Sequence, residues 1–222
     1  YIYSHTETWA ISQNTKSDIY RLNKNPNIKV LPLGIDPYSL PNAKKFDYPS
    51  AVFLGRLVKM KGVETAIYAA ADIPKQLSGF RLYIIGLADT QYQQYLEKLI
   101  FKLRINKNVT FCGQLSENEK YKLLSRTHFL FHPSYKEGFG LTVLEAGSVG
   151  TPTIARAGSS MDELIVNKKT GFLFHKDNKI SKIFTENYGT GNYKSMSRKS
   201  FSDSQLYNWE KILKKSHAIT EL

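Results

Sequence analysis

The sequence predicts an α/β chain built on a parallel sheet that is covered on both faces. Two observations carry this. Short apolar runs that end on glycine recur between residues 50 and 155, and stretches with helical apolar spacing separate them. Uninterrupted apolar strands belong to sheets buried on both faces, and helices are the usual connection between parallel strands. The composition agrees. Hydrophobic residues are 41% and charged residues 23% of the chain, ordinary globular usage that excludes a disordered, fibrous or disulfide-rich protein.

Taken in order, residues 1–27 end in the polar stretch Asn23-Lys24-Asn25-Pro26-Asn27, a loop signal. Ile28 to Leu33 is a short strand candidate, and Pro37 to Pro49 is turn-rich and looks like a linker. Ala51-Val52-Phe53-Leu54 is the first apolar run and stops at Gly55, after which Val63 to Ala71 has helical spacing. Leu82-Tyr83-Ile84-Ile85 stops at Gly86, and Thr90 to Ile105 reads as a helix. Val109-Thr110-Phe111-Cys112 stops at Gly113, and Ser116-Glu117-Asn118-Glu119 has the capping-box spacing for a helix through about Ser125. Phe129-Leu130-Phe131 is a strand, Leu141 to Gly147 a helix and Thr153-Ile154-Ala155 a strand. Ligands of such sheets sit beyond the carboxyl ends of the strands. Four loops therefore matter: 55–62, 86–89, 113–115 and 132–140.

Several classes are excluded early. The longest apolar run worth testing, Leu82 to Ala88, is far short of the about 20 residues a membrane span needs. One cysteine, Cys112, allows neither an internal disulfide nor a multi-thiolate metal site. The chain starts at Tyr1 with no signal-peptide pattern and is expected to be a piece of a longer protein. The net charge of +12 is spread along the sequence. It suits phosphates, nucleic acid or an anionic membrane face, and equally a basic protein with no special partner.

Two of the four loops carry chemistry. Gly55-Arg56-Leu57-Val58-Lys59-Met60-Lys61-Gly62 follows a strand and opens a helix. Its Arg56 offers a planar fork and its Lys61 a point charge, a suitable pair for two phosphate groups. The second loop, His132-Pro133-Ser134-Tyr135-Lys136-Glu137-Gly138-Phe139-Gly140, runs into Leu141-Thr142-Val143-Leu144-Glu145-Ala146. Gly138 and Gly140 expose backbone N–H groups at a helix N-terminus, a site for an anion or a hydroxyl. Glu145 falls in an apolar stretch, where a carboxylate must be hydrogen-bonded. Its two oxygens can accept two adjacent hydroxyls, as in a ribose diol.

Gly55-Arg56-Leu57 with Lys61-Gly62, followed by Glu137-Gly138-Phe139-Gly140-Leu141 and Glu145-Ala146, resembles the retaining nucleotide-sugar glycosyltransferases of the GT-B fold, with their Glu-x7-Glu pattern. Ser12, Thr15-Lys16, Leu33-Gly34-Ile35-Asp36, Gly150-Thr151-Pro152, Glu163 and Thr170-Gly171-Phe172 fall where that family has comparable residues, so the resemblance runs over about 11–176. It implies two Rossmann-like domains facing each other across a cleft, each with a doubly wound parallel sheet. Residues 1–45 would then be the end of the N-terminal domain and the linker. Residues 46–187 would be the donor-binding domain, and 188–222 a C-terminal helix packing back toward the first domain. The main acceptor domain would be missing, and His5 carries no motif.

The same resemblance assigns roles. Arg56 and Lys61 neutralise the leaving diphosphate, Glu145 accepts the ribose hydroxyls, and Glu137 faces the donor sugar. Glu137, Arg56 and Lys61 are thus the catalytic candidates. Gly55, Gly138, Phe139, Gly140 and Leu141 complete the donor site, the last four through backbone N–H groups, with Gln114 and Leu115 lining the base. No cofactor and no metal are expected. Expected partners are a nucleotide-sugar donor, a glycan or lipid-linked acceptor and the absent N-terminal domain. The expected location is the cytoplasm, with peripheral association at the inner membrane face. Nucleic acid is not expected, for want of a recognition motif.

The pattern is not followed everywhere. Gly86-Leu87-Ala88 replaces a Gly-x-Gly, Thr142 stands where proline is frequent, and Ala157-Gly158-Ser159-Ser160-Met161 is poorer in glycine. His132 reads as a packing residue at a strand end, Cys112 as core, and Trp209 as an anchor on an amphipathic helix over Leu206 to Leu213. The competing functions are a non-catalytic donor-domain-like partner subunit and a dinucleotide-dependent oxidoreductase. The second requires Gly-x-Gly-x-x-Gly after the first strand, where this chain has Gly55-Arg56-Leu57.

Overall fold

The computed structural model describes residues 6–36, 38 and 43–220, with residues 215–220 in backbone only. His5 and much of the expected linker, residues 37 and 39–42, lie outside the described residues. In chain order the elements are β1 (Thr8–Ala10), α1 (Gln13–Asn23), β2 (Ile28–Val30), β3 (Ser50–Leu54), α2 (Val63–Asp72), β4 (Arg81–Ile85), α3 (Thr90–Lys102), β5 (Val109–Gly113), α4 (Glu117–Arg126), β6 (Phe129–His132), α5 (Leu141–Ser148), β7 (Thr153–Arg156), α6 (Met161–Leu164), β8 (Gly171–Phe174), α7 (Lys179–Asn187), α8 (Gly191–Ser204) and α9 (Trp209–Thr220). None of the described helices is long and apolar enough to cross a membrane.

The main sheet is parallel with strand order β5-β4-β3-β6-β7-β8. Successive side chains of a strand point to opposite faces, and here each face has its own core. Ala51, Phe53, Leu82, Ile84, Phe129, Phe131 and Ile154 join one cluster with α2, α3 and α7 residues such as Ile67, Leu96 and Phe184. Val52, Leu130 and Ala155 join the other, with Leu124 of α4 and Val143 and Ala146 of α5. The strand order reverses between β3 and β6, and in such sheets the ligand crevice opens there.

The predicted α3 ends three residues early. Arg104 adopts a left-handed φ of 58° and turns the chain back toward β5. The capping box at Ser116 and Glu119 is formed, with Ser116 Oγ accepting from the N–H of Glu119. The described part of the linker is docked on the sheet. Phe46 stacks on Tyr48 and Tyr83, and Lys45 Nζ donates to Thr127 O and Thr151 Oγ1, both at 2.7 Å.

Residues 188–220 depart from the single helix expected over 188–222. They form α8, a short 3-10 turn at Gln205–Tyr207, and α9. Tyr193 and Met196 of α8 are part of the main core, so the packed body of the sheet domain continues past residue 187. The helix predicted over Leu206 to Leu213 is interrupted at Asn208, which bridges to Ile35. Trp209 opens α9 and lies against Gly34, where a Cβ would stand 2.7 Å from its ring.

β1, β2 and α1 form a small unit of their own around a two-stranded parallel sheet. Cys112 is half-buried and free on the edge strand β5.

Candidate functional site

Two loops meet above the β3/β6 switch point. The loop after β3 carries Arg56, a 3-10 turn at Lys59–Lys61, and Gly62. Gly62 has φ +70°, and a Cβ there would stand 2.5 Å from Pro133 O. Only glycine lets this loop lie so close to the one after β6. Tyr135 N–H donates to Met60 O at 2.9 Å and fastens the two loops together.

The loop after β6 is braced from three further directions. Arg156 at the end of β7 donates to Pro133 O at 3.1 Å, pairs with Asp177 and covers the Tyr135 ring at 4.1 Å. Ser160 Oγ donates to Glu137 O at 3.0 Å. Ser12 and Thr15, at the start of α1, both donate their hydroxyls to Gly138 O, at 2.8 and 3.0 Å. Glu163 accepts from the N–H groups of Gln13 and Asn14, which holds that helix end in place.

The central contact is an ion pair between Lys61 Nζ and Glu137 Oε2 at 2.6 Å, with side chains 22% and 15% exposed. Ser134 Oγ donates to the same Oε2 at 3.0 Å. His132 Nε2 stands 3.6 Å from it, beyond hydrogen-bond distance. Burial works against the charge of Glu137, but the His132 imidazole and the Lys61 ammonium outweigh it and hold the carboxyl at about 2.

Arg56 and Lys61 are engaged differently. Arg56 is exposed, and its guanidinium has no ion pair among the described residues, whereas Lys61 is engaged by Glu137. Glu145 lies on α5 with its Oε1 accepting from Lys120 Nζ at 2.9 Å. That ammonium also reaches Glu117 at 2.7 Å. Burial opposes the charge of Lys120, yet the two carboxylates raise its pKa. The carboxylate in an apolar stretch therefore has its required partner, supplied by a lysine that the sequence reading did not single out.

Gly140 caps α5 with φ +109°, and the N–H groups of Gly138 to Leu141 have no partner among the described residues. The Phe139 ring turns inward, packed with Ile35 and Leu144 and edge-on to Tyr207. It offers a ligand its backbone only. Gly55 N–H is bonded to Ile85 O and Gly86 N–H to Gly113 O, so the first three strand-end loops form a continuous row. Gln114 is exposed and Leu115 half-buried at the far end of that row, two strands from the switch point.

His132, expected to pack at the strand end, is buried there and also faces Glu137. Alternation along β6 puts it on the same face as Leu130, toward α5, where Thr142 Oγ1 lies 3.3 Å from its Nδ1. That parity was visible in the sequence; the partnership with Glu137 was not. The larger concavities lie elsewhere. One of about 510 Å³ is lined by Tyr38, Ser125, Ser148 and Phe201, and one of about 560 Å³ by Lys168, Phe172 and Asn187. Neither includes Lys61 or Glu137. Among the described residues no three His, Cys, Asp or Glu side chains gather as a metal set.

Comparison with known proteins adds the context for this arrangement. The family described as Glycosyl transferases group 1 matches residues 38–184. An uncharacterised glycosyltransferase of Methanocaldococcus jannaschii is 26% identical over 192 residues, covering 79% of this chain and 48% of its own length. A glycogen synthase of Mycobacterium tuberculosis is 33% identical over 120 residues, covering 54% of this chain and 28% of its own. The chain thus spans less than half the length of these curated relatives. Sucrose-phosphate synthase from Thermosynechococcus elongatus superposes with a TM-score of 0.86 at 24% identity, covering 96% of this chain and 57% of that one. HepE of Anabaena, solved with UDP and glucose, superposes with 0.85 at 21% identity, covering 98% and 64%. At these identities the likeness is one of fold.

Proposed function

The chain belongs to the glycosyl transferases group 1 family, and from that premise we propose that it binds the donor in a transfer of sugar from a nucleotide-diphosphate sugar to a glycan or lipid-linked acceptor. The observation that carries the reading is the meeting of Lys61 and Glu137 at the β3/β6 switch point, 2.6 Å apart. A diphosphate placed there would meet an unpaired guanidinium, Arg56, and an ammonium that can be drawn from Glu137. Both oppose the negative charge that grows as the sugar–phosphate bond breaks. Glu137, relieved of Lys61, then faces the sugar. The unpaired N–H groups of Gly138 to Leu141 suit sugar hydroxyls or phosphate oxygens.

Glu145 is assigned to the ribose diol. Lys120 fixes its carboxylate through one oxygen and leaves Oε2 for a hydroxyl. Gln114 and Leu115 are assigned to the base. Retention at the sugar carbon and a reaction carried by the two cations without a metal ion belong to the same proposal. So does a second domain that supplies the acceptor side.

Calorimetric titration of the chain with a panel of nucleotide sugars, nucleoside diphosphates and nucleosides tests the reading. Binding that needs the diphosphate supports it, and a panel with no binding overturns it. In the full-length protein, transfer that survives a chelator supports the metal-free reading, and transfer that stops refutes it.

A further inference from the structure

We infer that His132 is a positioning residue for Glu137, holding its carboxylate toward the donor sugar once Lys61 has turned to the diphosphate. The inference rests on the donor-site reading above. His132 is buried at 5% exposure, and its Nε2 has no hydrogen-bond partner among the described residues. A buried imidazole nitrogen without a partner costs free energy unless another state of the site uses it. It faces an acceptor, Glu137 Oε2, at 3.6 Å.

The ring's other nitrogen fixes its orientation. Nδ1 lies 3.3 Å from Thr142 Oγ1. A carboxylate can only accept, so the nitrogen facing Glu137 must carry the hydrogen. In the neutral ring Nδ1 then accepts, and Thr142 donates. Thr142, His132 and Glu137 therefore form one directed chain, running from the first turn of α5 through the end of β6 to the carboxylate. A proline at 142 would lack the hydroxyl that starts it.

In the structure Glu137 Oε2 receives Lys61 at 2.6 Å and Ser134 at 3.0 Å. When Lys61 leaves, Ser134 alone does not fix the plane of the carboxylate. The Nε2–H of His132 closes the remaining gap of a few tenths of an ångström, as contacts at such sites tighten when substrate binds.

The test has two arms. In the ligand-free chain, nitrogen-15 NMR of His132 should show the hydrogen on Nε2, and Thr142→Val should weaken that preference. A hydrogen on Nδ1 overturns the proposal. In the full-length protein, His132→Phe should lower kcat about tenfold or more, the loss of one hydrogen bond to a charged group, while donor KM stays unchanged. His132→Gln, which keeps a donor near the Nε2 position, should recover most of the rate at the same thermal stability. Equal kcat in all three proteins, or a loss that follows melting temperature and is not recovered by His132→Gln, overturns it. Failure of the wild-type chain to bind any nucleoside diphosphate would instead sink the donor-site reading, and the NMR arm does not depend on that outcome.

Discussion

Lys61→Met keeps the aliphatic stem and removes the ammonium, leaving Glu137 without its cation. Breaking a fully buried pair costs about 3–5 kcal/mol, because a charge is stranded out of water. Here the two side chains are 22% and 15% exposed, and Ser134 Oγ still donates at 3.0 Å. The expected loss at pH 7 is therefore smaller, about 2 kcal/mol, which lowers the Tm of a chain of this length by roughly 4–8 °C. The carboxyl is held at about 2 in the folded protein, below its ordinary 4.5. Its stabilising effect is thus fully present above 4.5 and lost as pH falls toward 2. Thermal melts between pH 7 and pH 2 should show a shallower acid loss in Lys61→Met than in the wild type. Adding Glu137→Gln to Lys61→Met should recover much of the stability at pH 7. Diphosphate affinity should fall about tenfold or more, with nucleoside affinity unchanged. A double-mutant cycle with no coupling would refute the pair, and equal losses for diphosphate and nucleoside would refute Lys61 as a phosphate ligand.

Arg56→Ala should weaken diphosphate binding by about 1.5–3 kcal/mol at an unchanged Tm, since Arg56 is exposed and has no ion pair among the described residues; a lowered Tm would show a structural role. Glu145→Gln should lower affinity for the nucleoside and the diphosphate alike. If it lowers only the Tm, Glu145 serves Lys120 and not the ribose. Burial draws the Lys45 ammonium down to about 7 from an ordinary 10.5. Between those values the unfolded chain binds more protons, so stability should rise with pH over that window. Urea unfolding at pH 7, 8 and 9 should show that slope in the wild type and a flatter one in Lys45→Met. Equal slopes would place the ammonium in water.

The strands of the main sheet were legible because burial on both faces makes them apolar, and glycine marks where β3, β4 and β5 end. The exception, β8, is Gly171–Phe174, which opens on glycine, the residue that elsewhere marks a strand's end. α1 was not legible for a different reason. It has no buried residue, so no apolar stripe marks it, and it is fixed by Ser12, Thr15 and Glu163 through hydrogen bonds. α8 packs on α5 partly through serines. A Cβ on Gly147 would stand 3.2 Å from both Ser200 and Ser204 atoms, a small-residue contact that hydropathy does not see. At the site, residue types and loops could be read, but pairings could not. Lys61 and Glu137 are 76 positions apart and Lys120 and Glu145 are 25 apart, and each carboxylate's partner is decided by which loops the strand order brings together.

That pairing changes what a substitution at Glu137 should do to binding. Read one residue at a time, Glu137 serves the sugar, and its loss would leave diphosphate affinity alone. In the structure Glu137 holds Lys61, so under the proposed function the two anions compete for that cation. Part of the gain when a diphosphate binds is offset by breaking the 2.6 Å pair and leaving a carboxylate, 15% exposed, to Ser134 and His132. Glu137→Gln removes the competing charge but still accepts a hydrogen bond from Lys61. The ammonium still donates, but the attraction between opposite charges is gone, so Lys61 is released at lower cost. Nucleoside diphosphate should then bind several-fold more tightly to Glu137→Gln, about 1 kcal/mol, even as sugar transfer in the full-length protein falls. Arg56, which has no pair to break, gives no such gain, so Glu137→Gln in the Arg56→Ala background should show the same tightening. Calorimetry on the four proteins measures it. Unchanged or weaker diphosphate binding by Glu137→Gln would mean that Lys61 does not move from the carboxylate to the phosphates.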